Sequence, residues 1–188
     1  MKVIIDTNSL ISLARYYMPF DSQETLFKYI KSKFENQNLI VIDAVYRECE
    51  YTSQKLVLKS LKYLNEKDFK SKFKIPVKTK DLFPPSTKKF YNQLDNNFRT
   101  SHSRKLNDAE FEQLKKDYLD SADARIIIYA LNRINKKENI IVVTEESEFA
   151  NDNKAFKKIP AICKMLKIEV MTLPELLLKY DGINFEFK

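Results

Sequence analysis

MKVIIDTNSLISL, residues 1–13, is the stretch that decides the reading. Val3-Ile4-Ile5 is a short run of apolar β-branched residues, the pattern of a strand buried on both faces in a parallel sheet. It delivers one acid, Asp6, into a turn at Thr7-Asn8-Ser9, and an apolar helix-like run follows. Open α/β sheets place their sites at the carboxyl ends of parallel strands, so Asp6 is expected at a functional edge.

Outward from that start, strand and helix patterns alternate. A helix is expected over about 9–16, stopped by Pro19, and Asp21-Ser22 can cap another through about Glu35. Leu39–Ile42 reads as a second buried strand, with a helix from Asp43 carrying Val45, Glu48, Cys49 and Glu50. Another helix is expected over 54–65, then about 86–98, then from a cap at Asn107-Asp108 to about Tyr118. Leu119–Asn135 is a long apolar helix, Ile140–Val143 a strand, Ile168–Met171 another, with helices at 160–166 and 173–180. Such alternation predicts a three-layer α/β/α sandwich around a central parallel sheet. All 188 residues form one domain in this reading, with a basic helical insertion at about 67–110.

Composition excludes several chemistries. The chain holds one glycine, Gly182, so neither a P-loop nor a GxGxxG turn can be built in the usual way. It holds one histidine, His102, in a polar TSHSRK stretch, so an HExxH zinc site is excluded. Cys49 and Cys163 lie far apart and form no CxxC pair; they are expected reduced, in a cytoplasmic protein. No run of about 18 apolar residues is present, so no membrane span is expected. Carboxylates remain as the groups able to do chemistry, and oxygen ligands suit Mg²⁺ or Mn²⁺.

Four acidic positions follow the strand–helix pattern. Asp6 ends the first strand, and Glu48 lies on the helix after the second. Asp123 opens the apolar helix, and Thr144-Glu145-Glu146 directly follows the strand 140–143. In a parallel sheet, helix N-termini and strand C-termini share one edge, where the helix dipole also favours a carboxylate. Each acid also has a plainer reading. Asp6 can serve as a helix cap and Glu48 as surface charge with Glu50 its rival. Asp120 can be the true cap beside Asp123, and Glu145, Glu146 and Glu148 can be loop acids.

These residues resemble those of the PIN-domain family, metal-dependent ribonucleases that include VapC-like toxins of bacterial toxin–antitoxin pairs. The opening Ile5-Asp6-Thr7-Asn8, the Glu48 of Val45-Tyr46-Arg47-Glu48 and the Asp123 of Ala122-Asp123-Ala124-Arg125 match its motifs. Val142-Val143-Thr144-Glu145-Glu146 approaches the family's Val-Thr-x-Asp, with Glu146 standing where Asp is usual. The resemblance implies an endoribonuclease in which Asp6, Glu48, Asp123 and Glu146 hold Mg²⁺ or Mn²⁺. Thr7, Asn8 and Thr144 would orient ligands or water. It also implies a toxin role, an antitoxin partner and a possible homodimer. A housekeeping RNA- or DNA-flap-processing nuclease and a catalytically inactive RNA- or protein-binding module are the alternative readings.

The net charge of +7 is unevenly placed. Residues 67–105 hold 11 Lys and Arg against three Asp, a local +8, among Phe69, Phe73, Phe90, Tyr91 and Phe98. Such a block can track a phosphate backbone, and Lys88, Lys89, Arg99 and Arg104 are the expected RNA contacts. Phe90, Tyr91 or Phe98 could stack on unpaired bases, although core packing explains Phe69, Phe73 and Phe98 better. A solvated lysine-rich face is the plainer reading of the charge.

Overall fold

The structure is a computed structural model and describes residues 1–148 and 154–180. It is an α/β/α sandwich on a four-stranded, all-parallel sheet ordered β2-β1-β3-β4. The strands are β1 (Lys2–Ile5), β2 (Leu39–Ile40), β3 (Ile140–Val143) and β4 (Glu169–Met171). Helices α1 (Thr7–Ser12), α2 (Thr25–Glu35), α3 (Asp43–Tyr51), α4 (Leu56–Ser60) and α5 (Lys67–Phe73) precede α6 (Thr87–Asn96). Then come α7 (Asp108–Asp120), α8 (Ala122–Asn135), α9 (Ile159–Leu166) and α10 (Leu173–Lys179). Among the described residues no helix is long and apolar enough to cross a membrane.

The strand order explains where the site sits. From β1 the chain first moves outward to β2, then returns to the other side of β1 to lay down β3 and β4. The connections after β1 and β3 therefore leave in opposite directions, which opens a crevice at their carboxyl ends. Register pairs Ile5 with Val143, and the Asp6 N–H donates to the Val143 carbonyl at 2.9 Å. Asp6 and Thr144 thus step off adjacent strands side by side. Val3, Ile4, Ile5, Val142 and Val143 are wholly buried, as two-sided coverage by helices demands.

Several local expectations are corrected. The turn expected at Thr7-Asn8-Ser9 is the first turn of α1, with Asp6 as its N-cap. Asp21 does cap α2, but across a longer loop, accepting from Leu26 N–H at 3.1 Å and Phe27 N–H at 2.7 Å. The single helix expected over 54–65 is broken. Ser53, Gln54 and Lys55 have positive φ (47°, 53° and 61°), and only Leu56–Ser60 is α-helical. The strand expected to reach Ile42 ends at Ile40, while Ile42 pairs instead with Val77.

The 67–110 stretch is only partly helical, with α5 and α6 separated by a non-helical 74–86, and it shares the core of the sheet. Phe69, Phe90, Leu94, Phe98 and Phe111 belong to the same buried cluster as β1 and β3. Arg125 of α8 clamps its middle, donating from Nη1 to the carbonyls of Thr79, Lys80 and Leu82 at 3.2–3.3 Å. Asn132 adds a bond to the Phe83 carbonyl at 2.8 Å.

Candidate functional site

The crevice between β1 and β3 is built around Asp6, which is only 3% exposed. Its Oδ1 accepts from the Thr7 N–H at 2.6 Å and its Oδ2 from the Thr144 hydroxyl at 3.1 Å. Thr144, itself buried, also accepts from the Glu146 N–H at 3.2 Å, so one hydroxyl fixes the geometry of two acids. On the other side, the Thr7 hydroxyl donates to Glu48 Oε2 across 41 residues of sequence. Asp6 and Glu48 are therefore joined through a single threonine.

Asp123 arrives from α8. Ser121 is that helix's N-cap, accepting from the Ala124 N–H at 3.3 Å, and Asp123 falls in the first turn. The cap is Ser121 and not Asp120, whose carboxylate instead pairs with Arg125 at 3.0 Å. Asp123 is half-buried, and burial together with the Glu146 charge pushes its carboxyl up to about 6. Burial and the Asp123 charge push Asp6 further, to about 7, with Glu146 adding to the rise. Charges from two other elements thus act on Asp6, and Glu146 and Glu48 both act on Asp123.

The structure distinguishes Glu146 from Glu145. Glu146 turns toward Asp6 and Asp123; its Oε2 accepts from the Ile159 N–H at 3.2 Å, and Lys158 Nζ lies 3.8 Å from Oε1. Glu145 turns away, accepting from Leu173 N–H at 2.7 Å and from the Ser9 hydroxyl at 3.3 Å. It ties α1 to the N-terminus of α10. Asn8 is exposed on the first turn of α1, and the structure gives it no bond to the acids.

Sequence reading missed three groups here. Lys154 and Lys158 both lower the Asp123 pKa, so the acids face cations from the segment before α9. The Tyr118 hydroxyl is buried with no hydrogen-bond partner among the described residues, close enough to feel Asp123 and Glu146. Only Tyr118 carried a usable signal, as the last aromatic before the Ser121 cap. The lysines are indistinguishable by sequence from many others.

Carboxylate and hydroxyl oxygens are hard donors that suit Mg²⁺ or Mn²⁺. Two acids raised by burial first, and by neighbouring carboxylates second, also mark a site short of positive charge. Among the described residues, however, no group of three or more His, Cys, Asp or Glu is gathered as a ready-made metal cage. Thr7 stands between Asp6 and Glu48, and Glu146 is held by the chain itself.

The raised carboxyls give stability a definite pH dependence. Asp6 releases its proton near pH 4 when unfolded but near 7 when folded. Between those values the folded state binds the extra proton, so stability falls as pH rises and levels off above about 7. Thermal melts without divalent cations should show Tm declining from pH 5 to pH 7.5. A flat or rising profile would mean that Asp6 ionises normally.

The candidate RNA contacts divide. Lys88 and Lys89 are exposed on α6 and Arg104 is exposed beyond it. Arg99 is not free for a phosphate as expected. It donates to the Ser103 carbonyl at 2.5 Å, and its guanidinium lies 3.7 Å from the Phe111 ring centroid. Phe90 and Phe98 are buried and cannot stack on a base as placed.

A family model described as Domain of unknown function (DUF4411) matches residues 3–185, and the chain belongs to that family. No curated protein and no solved structure matches it.

Proposed function

We propose that this member of the DUF4411 family is an endoribonuclease dependent on Mg²⁺ or Mn²⁺. One observation carries the reading: Asp6, Asp123 and Glu146 leave three different elements at the switch point of a parallel sheet, close enough that Asp123 and Glu146 raise Asp6 and Glu146 raises Asp123. Asp6, Glu48 and Asp123 would hold the cation, with Glu146 assisting. A bound divalent ion supplies a Lewis acid for a phosphodiester and a water of lowered pKa. The chain's own residues do the positioning. Thr144 holds Asp6 and Glu146 in register, and Thr7 keeps Glu48 turned toward Asp6. Lys154 and Lys158 lower the charge that an approaching phosphate would meet.

The resemblance to PIN-domain proteins extends the proposal to a cytoplasmic toxin restrained by an antitoxin protein, with homodimerisation a further expectation. A second reading has its own support. The absence of a ready-made metal cage among the described residues, with Lys158 beside Glu146, suits a module that binds RNA or protein without cleaving it. Incubating total RNA with the protein, with Mg²⁺ and with a chelator, separates the two. Discrete fragments only with Mg²⁺ support the nuclease; binding without fragments supports the module.

The basic stretch makes a companion expectation. Replacing Lys88, Lys89 and Arg104 by Gln should weaken single-stranded RNA binding and flatten the slope of log affinity against log salt by roughly two to three. Arg99→Gln should instead lower stability, because it removes packing on Phe111. An unchanged salt slope in the triple variant would make that face mere surface.

A further inference from the structure

A second feature adjoins the acid crevice. Two open hollows follow one another along α6. The first, of about 630 Å³, is lined by Ser86, Thr87, Lys88, Lys89, Asn92 and Gln93. The second, of about 450 Å³, shares Gln93 and adds Asn96, Asn97, Arg104, Lys157 and Met165. Gln93 thus joins the two into one shallow channel.

The channel has a direction. Its first hollow lies at the far ends of α8 and α9, because Ser86, Lys89 and Gln93 also border a recess with Ile134, Asn135 and Leu166. Ile134 closes α8, roughly 16 Å along the axis from Asp123, which opens it. The second hollow reaches the acids. Lys157 Nζ donates to the Asn97 carbonyl at 2.8 Å, and the Nζ of the next residue, Lys158, lies 3.8 Å from Glu146 Oε1. That junction is built into the backbone. Arg99 and Phe156 form an antiparallel bridge, with the Thr100 N–H donating to the Ala155 carbonyl at 3.1 Å and the Lys157 N–H to the Phe98 carbonyl at 2.8 Å.

The lining selects the ligand. Lys88, Lys89, Arg104 and Lys157 bring four cations, and neither hollow is lined by an Asp or Glu. Asp95, the one acid of α6, is paired with Lys115 of α7. Lys157 gives Asn97 one of its three donors and keeps its charge. Met165 apart, every lining side chain is a hydroxyl, an amide or a cation, the groups that meet phosphate and sugar oxygens. A peptide segment would need apolar anchors in fitted pockets. The apolar recess with Ile134 and Leu166 lies at the end of the channel away from the acids. No aromatic ring lines either hollow, so a strand there is held by its backbone and not by stacked bases.

We infer that this channel carries the sugar–phosphate backbone of single-stranded RNA and leads it past Lys157 and Lys158 to the acid crevice. The inference rests on the reading of that crevice as a ribonuclease centre, which gives the strand its destination. Lys88, Lys89, Arg104 and Lys157 would each meet a phosphate, and Asn92 and Gln93 would bond the oxygens between them. Binding along α6 is then independent of base sequence, and the strand reaches the acids from one side only.

The test uses fluorescein-labelled oligouridylates of about four to sixteen nucleotides, the span of single-strand sites, with a chelator present so that nothing is cut. Fluorescence anisotropy should show affinity rising with length to a plateau. Arg104→Gln/Lys157→Gln should weaken binding of the longest oligomer at least tenfold and flatten the slope of log affinity against log salt by about 0.7 per cation removed. Lys72→Gln, exposed on α5, should change neither. If the Lys157 change lowers Tm, Lys89→Gln/Arg104→Gln, both exposed, carries the same test. Oligouridylate bound more tightly than oligodeoxythymidylate supports RNA as the strand; the reverse overturns it in favour of DNA. The inference is also overturned if affinity does not depend on length, or if both double variants bind as the wild type does. Displacement of the RNA by polyglutamate as effective as by unlabelled oligouridylate would overturn it in favour of an acidic protein partner. Cleavage enters none of these measurements. A failed channel therefore leaves the nuclease to the total-RNA assay, and a working channel without cleavage leaves the binding module.

Discussion

Asp6→Asn should abolish Mg²⁺-dependent RNA cleavage and at the same time raise the thermal stability of the cation-free protein. The substitution keeps the volume of a side chain that is 3% exposed, and its one remaining oxygen can keep only one of the two bonds that Asp6 accepts from the Thr7 N–H and the Thr144 hydroxyl. It removes the charge that burial and Asp123 make costly, the same cost that raises the carboxyl to about 7. One pKa unit corresponds to about 1.4 kcal/mol, so relief of roughly half of that displacement is worth about 2 kcal/mol. For a chain of this size that is about 4–8 °C in Tm. The gain should be large at pH 7.5 and small at pH 5, where wild-type Asp6 is already protonated. Cleavage should drop by at least a factor of about 100, because losing even a group that supports a metal ligand costs up to that much. Loss of cleavage with an unchanged or lower Tm would mean that the substitution acts by damaging the fold.

Phe98→Ala should be among the most destabilising single changes outside the sheet, by about 3–5 kcal/mol. Phe98 is wholly buried, meets Phe90 edge-on with centroids 5.8 Å apart, and its carbonyl accepts from Lys157 N–H at 2.8 Å. If residues 67–110 fold with the sheet, as their shared core implies, the whole molecule should lose stability together. A drop in Tm of about 10 °C, with faster amide exchange in β1 and β3 as well as α6, is the expected result. Faster exchange confined to 87–105 would make that stretch an independently unfolding appendage.

Much of this architecture can be read locally. An apolar run ending in Asp6, a capping Asn107-x-x-Glu110 and the apolar face of α8 state their structure in neighbouring residues. What local reading missed depends on distant partners. Ile42 leaves the strand because Val77 is there to receive it. Arg99 looks like a phosphate contact until Phe111 is placed under its guanidinium. Glu145 and Glu146 are adjacent in sequence, and only the arrival of Leu173 and Ile159 turns them to opposite tasks. The break at residues 53–55 has no sequence signal at all: three non-glycine residues take a left-handed conformation where helix periodicity continues. The site was therefore legible as a set of acids at one sheet edge. Thr7 and Thr144 were legible beside them, but the bonds by which these threonines join the acids, and the lysines that partly offset them, were not.

If Asp6, Glu48, Asp123 and Glu146 form a single divalent-cation centre, the protein binds one such ion through them in solution. Calorimetric titration of Mn²⁺ into the metal-free protein at pH 7.5 tests it most directly. Saturable binding at one centre is expected, weakened at least tenfold by Asp6→Asn and by Asp123→Asn and left intact by Glu145→Gln. Absence of saturable binding to the wild-type chain, or binding unchanged in both aspartate variants, would contradict it.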